Sequence, residues 1–257
     1  MGIETFAIDA LADDDTFEVT STTRDFFLFG QRGEDTFNIN ETTVMTGGTT
    51  LRIDGGADNN SINVSQNDAL AATTVVVDET SIINMTSAEI DFVATGGTFA
   101  DTATTTGVTL FGSNTRADVI EVNGVAAVND LEVFGRSFDD LFIFENTING
   151  TAELLGGAGN DRYETNATAI FDVVVTDSVG SESDTFYVGF TAGNDLIEVN
   201  ASGFVFNGVS YPTADANFIG IEDFALDGLG GNDTFNIDRT TTVASFCLLY
   251  TSPSPRD

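Results

Sequence analysis

Carboxylates set beside glycines are the side chains here with the most chemistry to offer, and they recur at nearly constant spacing. Acids fall at Asp15, Asp35, Asp118, Asp140, Asp161 and Asp184, with Asn60 at the matching place after Asp35. Looser copies end at Asp15, Asp184 and Asp195, and the last regular copy carries Asp233. Representative copies read FGQRGEDTFNIN from Phe29, FGRSFDDLFIFEN from Phe134, LGGAGNDRYETN from Leu155 and DGLGGNDTFNID from Asp227. Successive acids lie 20 (15 to 35), 22 (118 to 140), 21 (140 to 161) and 23 (161 to 184) residues apart. Carboxylates joined by backbone carbonyls at glycine-rich turns are hard oxygen donors, the ligand set that calcium prefers.

Most other chemistry is excluded by composition. The chain has no histidine and no lysine, and its one cysteine is Cys247. A serine or cysteine triad of the usual kind, a His/Cys zinc site, a phosphate-binding loop and a lysine Schiff base are therefore out of reach. Carboxylate-pair chemistry of the glycosidase type survives on paper at Asp139–Asp140 and Asp13–Asp14–Asp15. Both sets fall at the repeat's turn, where a structural role already accounts for them, and no catalysis is expected.

The elements that hold these acids read as strands. Phe, Val, Ile and Thr are abundant, as suits a pleated, half-buried surface, and 41% of residues are hydrophobic, enough for a real core. After each acid comes a run of period two, such as Thr36-Phe37-Asn38-Ile39, which places Phe37 and Ile39 inward and Thr36 and Asn38 outward. The expected class is all-β: a parallel β-helix or β-solenoid with repeats of about 20–25 residues. Tandem β-sandwich modules are the alternative. Residues 1–246 read as one repetitive region, with an irregular stretch at 65–110.

Both ends carry expectations of their own. Residues 2–19 align without a gap to residues 220–237 with ten of eighteen positions identical, so the chain is expected to open within a repeat. The last residues, CLLYTSPSPRD at 247–257, contain Cys247, Pro253 and Pro255 and break the preceding pattern. They resemble translated sequencing-adapter read-through and are expected to be a non-native tail.

Stacking such repeats creates an electrostatic problem. Equivalent residues of adjacent parallel strands lie about 4.8 Å apart. Two carboxylates at about 5 Å repel by about 0.8 kcal/mol in water and about 3 kcal/mol at an effective dielectric of 20. Cations between the turns, or high salt, would relieve this. The segment GGAGNDRYE, Gly156 to Glu164, resembles the GGxGxDxUx nonapeptide of the repeats-in-toxin (haemolysin-type) calcium-binding proteins. That resemblance implies a β-roll with calcium between turns, with Gly156, Gly157, Gly159 and Asp161 at the ligand turn and Tyr163 inward. Carried over in the same way are Gly228, Gly231 and Asp233, then Gly30, Gly33 and Asp35, and finally Asp140. Leu229, Gln31 and Arg136 stand where the second glycine would be, and Phe138 where the third would be. The segment from Gly193 to Phe235 also resembles large repetitive bacterial surface adhesins. Turns chosen only for tight corners, and adaptation to high salt, remain open beside calcium.

The formal charge of −33, from 41 acidic and 8 basic residues, sets the partners. Nucleic acid, which needs clustered cations, and anionic membrane surfaces are excluded, and no apolar run is long enough for a membrane-spanning helix. Calcium ions, neutral glycans and surface proteins remain. The expected role is a structural or adhesive segment of a large secreted or cell-surface bacterial protein. A glycan- or protein-binding module is the first alternative, and a β-helix carbohydrate-active enzyme the second.

Overall fold

The structure is a computed structural model. It describes residues 5–21, 24–41, 49–66, 68, 70, 74–100, 107–144, 148–166, 173–177, 182–200, 203–207, 209–212, 218–237 and 245–249. Among these residues every regular element is a strand and none is a helix.

Two long sheets carry the architecture. The first has twelve strands, with Thr5–Asp9 at one edge and Ser245–Leu249 at the other. The second has eight, from Thr16–Val19 to Phe218–Ile219. Along much of the chain, strands fall alternately in one sheet and the other. Each pairs in parallel with its counterpart one repeat away, as in Phe17↔Phe37↔Ile62 and Phe142↔Tyr163↔Phe186. The period-two pattern is what makes this possible: Phe37 and Ile39 are fully buried while Thr36 and Asn38 are not. Rungs of like residues then stack. The Phe17 and Phe37 rings lie 4.8 Å apart at 6°, and those of Phe142 and Tyr163 lie 5.0 Å apart at 8°. Such pairs add about 0.5–1.5 kcal/mol each beyond their burial.

Antiparallel pairing, which sandwich modules need throughout, is confined among the described residues to two places. One is the meander Val75–Asp78, Ser81–Ile83, Glu89–Val93, within the stretch the sequence marks as irregular. It enters the first sheet between Thr50–Asp54 and Val119–Val122. The other is the small sheet of Leu196–Asn200, Gly203–Phe206 and Val209–Pro212, to which Thr234–Ile237 adds in parallel.

The meander shifts the phase of the repeat. Before it, the turns of Asp15, Asp35 and Asn60 lead from the first sheet to the second. After it, those of Asp118, Asp140, Asp161 and Asp184 lead from the second to the first. Asp195 and Asp233 stand between strands of the first sheet and of the small sheet. At the far end, Ser245–Leu249 pairs with Asp223–Asp227, so Cys247, Leu248 and Leu249 of the expected tail lie in a strand. Pro253 and Pro255 lie outside the described residues.

Candidate metal centre

Six of the turns share one backbone shape with two left-handed positions, four and two residues before the acid or its counterpart Asn60. They are Leu11 and Asp13, Gln31 and Gly33, Gly56 and Asp58, Arg136 and Phe138, Gly157 and Gly159, and Leu229 and Gly231. In the copy that matches the nonapeptide, Gly157 at φ +104 and Gly159 at φ +150 occupy both without the Cβ penalty. Elsewhere Gln31, Arg136, Phe138 and Leu229 hold the same conformation under strain. The departures from the motif are thus substitutions on a retained backbone.

The first glycine of each turn has a different reason. A Cβ on Gly30 would lie 2.1 Å from Asp35 Oδ2, one on Gly135 2.3 Å from Asp140 Oδ2, and one on Gly228 2.4 Å from Asp233 Oδ2. A Cβ on Gly156 would meet Asp161 Oδ2 at 2.3 Å. The aspartate five residues on folds back under the glycine, which is empty space for a carboxylate.

Those carboxylates form ladders that answer the repulsion problem in part. Each Oδ1 accepts a backbone N–H from the equivalent residue one repeat earlier. Asp35 accepts from Asp15 at 2.9 Å, Asp140 from Asp118 at 2.7 Å, Asp161 from Asp140 at 2.7 Å, Asp184 from Asp161 at 2.8 Å and Asp233 from Asp195 at 3.0 Å. The preceding position runs a second ladder of opposite sense. There Asp14, Asp139, Asn160 and Asn194 accept from the N–H groups of Glu34, Asn160, Ser183 and Asn232, one repeat later. Asp139–Asp140 and Asp14–Asp15 therefore sit in this stitching, with Asp13 at a left-handed turn position beside it.

The other oxygen is left over. Oδ2 of Asp15, Asp35, Asp140 and Asp161 is buried without a hydrogen-bond partner. Beside two of them stands another acceptor: Gly55 O and Gly156 O lie 2.7 and 2.6 Å from the Cβ positions of Gly30 and Gly135 that Asp35 and Asp140 crowd. Burial pushes Asp140 up to about 8, Asp161 to about 7 and Asp184 to about 6, against the N–H bonds that favour the charged form. Neighbouring carboxylates push the same way. Asp35 and Asp118 are also raised by burial.

One corner concentrates these acids. An oxygen from each of Asp161, Asp177 and Asp184 lies within 4.8 Å of the others, and all three residues are at least nine-tenths buried. Asp177 stands where the neighbouring repeats carry glycine: the strand register aligns it with Gly156 on one side and Gly220 on the other. Its carboxylate enters the space that Gly156 leaves, with Oδ2 2.4 Å from that residue's Cβ position. It accepts the Gly157 N–H at 3.0 Å and the Tyr163 hydroxyl at 2.7 Å. Burial, with the Asp177 carboxylate beside it, raises the Tyr163 phenol. These three buried aspartates could hold a metal ion.

Of the residues singled out in the sequence, the corner gathers Asp161 with Gly156 and Gly157 at its side. Asp35, Asp140 and Asp233 occupy equivalent turns elsewhere with Gly30, Gly33, Gly228 and Gly231. Asp177 escaped the motif reading because its signal, an acid in a glycine column, emerges only once strand register is known. No protein family, curated protein or solved structure matches the chain.

Proposed function

We propose that this chain is a cation-stiffened β-solenoid segment of a large secreted or cell-surface bacterial protein, serving as a spacer or adhesive stalk rather than a catalyst. Calcium is the ion, and Asp161, Asp177 and Asp184 hold it. The observation that carries this reading is Asp161 Oδ2, buried without a partner in a corner it shares with two more buried carboxylates. A buried carboxylate oxygen left unpaired is costly, and an ion of two positive charges would partner Asp161 Oδ2 while offsetting the repulsion among the three buried acids. The donors are all oxygen, which suits calcium's set of about six to eight oxygen ligands and offers nothing to a softer metal. The parallel ladders, in which each repeat rests on the next, suit a stiff extended segment.

The test is thermal melting of the full chain after chelation, then with added calcium, magnesium or sodium chloride. Saturable stabilisation by calcium at millimolar levels or below, unmatched by the other two, is expected. An equal response to every salt, and only at high concentration, would reduce the corner to charge screening.

A further inference from the structure

We propose that the outer face of the first sheet, around Phe29, binds a neutral oligosaccharide. Three neighbouring strands, Asp25–Phe29, Thr50–Asp54 and Glu89–Val93, align their outward residues in rows Phe27↔Arg52↔Asp91 and Phe29↔Asp54↔Val93. They line an open cavity of about 530 Å³, within the roughly 300–1,000 Å³ of small-molecule sites. A second recess of about 100 Å³ shares Phe29 and Asp54 and adds Gln31, Gly56 and Thr95. The shared residues join the two into a groove suited to an elongated ligand.

The groove divides its chemistry as a sugar chain does. Phe29 and the half-exposed Val93 make an apolar ledge, since the Arg52 guanidinium lies over the Phe27 ring at 5.1 Å. The negative face of a phenyl ring attracts the polarised C–H groups of a pyranose. Arg52 and Asp91 pair at 3.4 Å with their side chains 47% and 41% exposed, which leaves donors and an acceptor open to hydroxyls. Asp54 is a fixed floor: it accepts the N–H groups of Gly56 and Thr95 at 3.0 and 2.9 Å and the Thr95 hydroxyl at 2.8 Å.

Other occupants fit less well. A peptide read through its backbone needs an open strand edge, and all three strands are paired on both sides. An anionic glycan meets a chain of formal charge −33. A neutral, hydroxylated, ring-bearing chain meets neither obstacle.

The experiment is calorimetric titration of the full chain, in calcium, with cellotetraose, maltotetraose and N-acetylated chitotetraose. Tetragalacturonate and a neutral Ser/Thr decapeptide serve as comparators. Binding of at least one neutral tetrasaccharide is expected, weakened about tenfold or more by Phe29→Ala or by Val93→Asn at its exposed position. Phe134→Ala, an aromatic on the second sheet, should bind as the parent chain does. The proposal is overturned if no neutral tetrasaccharide binds, if only a comparator binds, or if both groove variants bind unchanged. Because the corner of Asp161 is not part of this groove, failure here leaves the calcium reading standing, and failure of calcium leaves this one.

Discussion

Two carboxylate ladders built on the same turn finish differently. In the N-terminal one, Asp15 and Asp35 lead to Asn60, whose Oδ1 accepts the Asp35 N–H at 3.0 Å and whose Nδ2 donates to Ala57 O at 3.2 Å. The amide serves as acceptor on one side and donor on the other and leaves neither group unmet. In the central ladder, Asp118, Asp140 and Asp161 lead to Asp184, and Asp177 adds a further acid where a glycine would stand. A carboxylate has the acceptor and lacks the donor, so Oδ2 of Asp140 and Asp161 goes without a partner, as does that of Asp15 and Asp35, and the central ladder has no amide at its end to meet the demand. Asn60 shows what the site asks for, a positive or hydrogen-bearing group at the second atom. The aspartates can meet that demand with a proton or with a cation.

The most disruptive way to break this comparison is to fill the space beneath the glycine in each ladder. Gly156→Ala would put a methyl 2.3 Å from Asp161 Oδ2, 2.4 Å from Asp177 Oδ2 and 2.5 Å from the Tyr163 hydroxyl. Neither acid can withdraw without losing its N–H bond, so a loss of about 3 kcal/mol is expected, together with the calcium response. Gly55→Ala meets the Asn60 side chain at 2.8 Å, with no second acid behind it, and should cost about 1–2 kcal/mol. Urea denaturation of the two variants, with and without calcium, gives both numbers. Equal losses in the two ladders would deny the central corner any special crowding.

A gentler change moves the Asn60 solution into the other ladder. Asp161→Asn keeps the acceptor for the Asp140 N–H and puts a donor where Oδ2 stands unpartnered. In chelator this variant should be about 1–3 kcal/mol more stable than the parent chain, since it removes a buried charge and supplies the missing donor. It should also lose most of the stabilisation by calcium. A variant that kept the parent's full calcium shift in thermal melting would move the ion away from Asp161.

Burial raises acids of both ladders and raises those of the central one most. Asp140, Asp161 and Asp184 sit at about 8, 7 and 6 in the folded state, above their ordinary 3.8. Between the ordinary value and about 8 the folded protein holds protons that the unfolded chain has released. Stability is therefore complete at low pH and falls as pH rises through that window. The melting temperature in chelator should drop from pH 5 to pH 8, opposite to the trend for salt-bridged acids. Asp161→Asn should flatten the drop, and calcium should compress it by favouring the charged forms. A melting temperature that rose over this range would mean that the central acids are ionised without help.

Much of the scaffold was legible in the sequence because one force dominates it. The alternation in Thr36-Phe37-Asn38-Ile39 fixes which side chains enter the core, and the turn spacing of 20 to 23 residues fixes which strands can stack. Register beyond one repeat was harder to read, because pairing across the meander depends on contacts that no local pattern records. For the same reason the phase change, in which equivalent turns serve opposite corners, was hidden. The candidate site was half legible. Asp161 stands out in GGAGNDRYE, whereas Asp177 sits in VVVTDSVG without a neighbouring motif and gains meaning only from its alignment with Gly156 and Gly220. Gly156 stands out in the same motif, and the packing adds a reason for it that the motif does not state: a Cβ there would lie 2.3 Å from Asp161 Oδ2.

The smallest expected effect concerns the turn backbone that both ladders share. Phe138 holds φ +81 with its ring about half exposed, whereas its counterpart Gly159 takes the left-handed region freely. An L-residue there costs roughly 1–2 kcal/mol, while glycine costs the unfolded chain about 0.5–1 kcal/mol in extra freedom. The difference predicts that Phe138→Gly stabilises the protein by up to about 1 kcal/mol. Little apolar burial is lost to offset that gain. The same exchange at Gly159 in reverse should be far worse, because a Cβ there would lie 2.1 Å from Phe138 O. Chemical denaturation of the two single variants tests this directly: a destabilising Phe138→Gly would mean that the exposed ring makes contacts worth more than the strain it imposes.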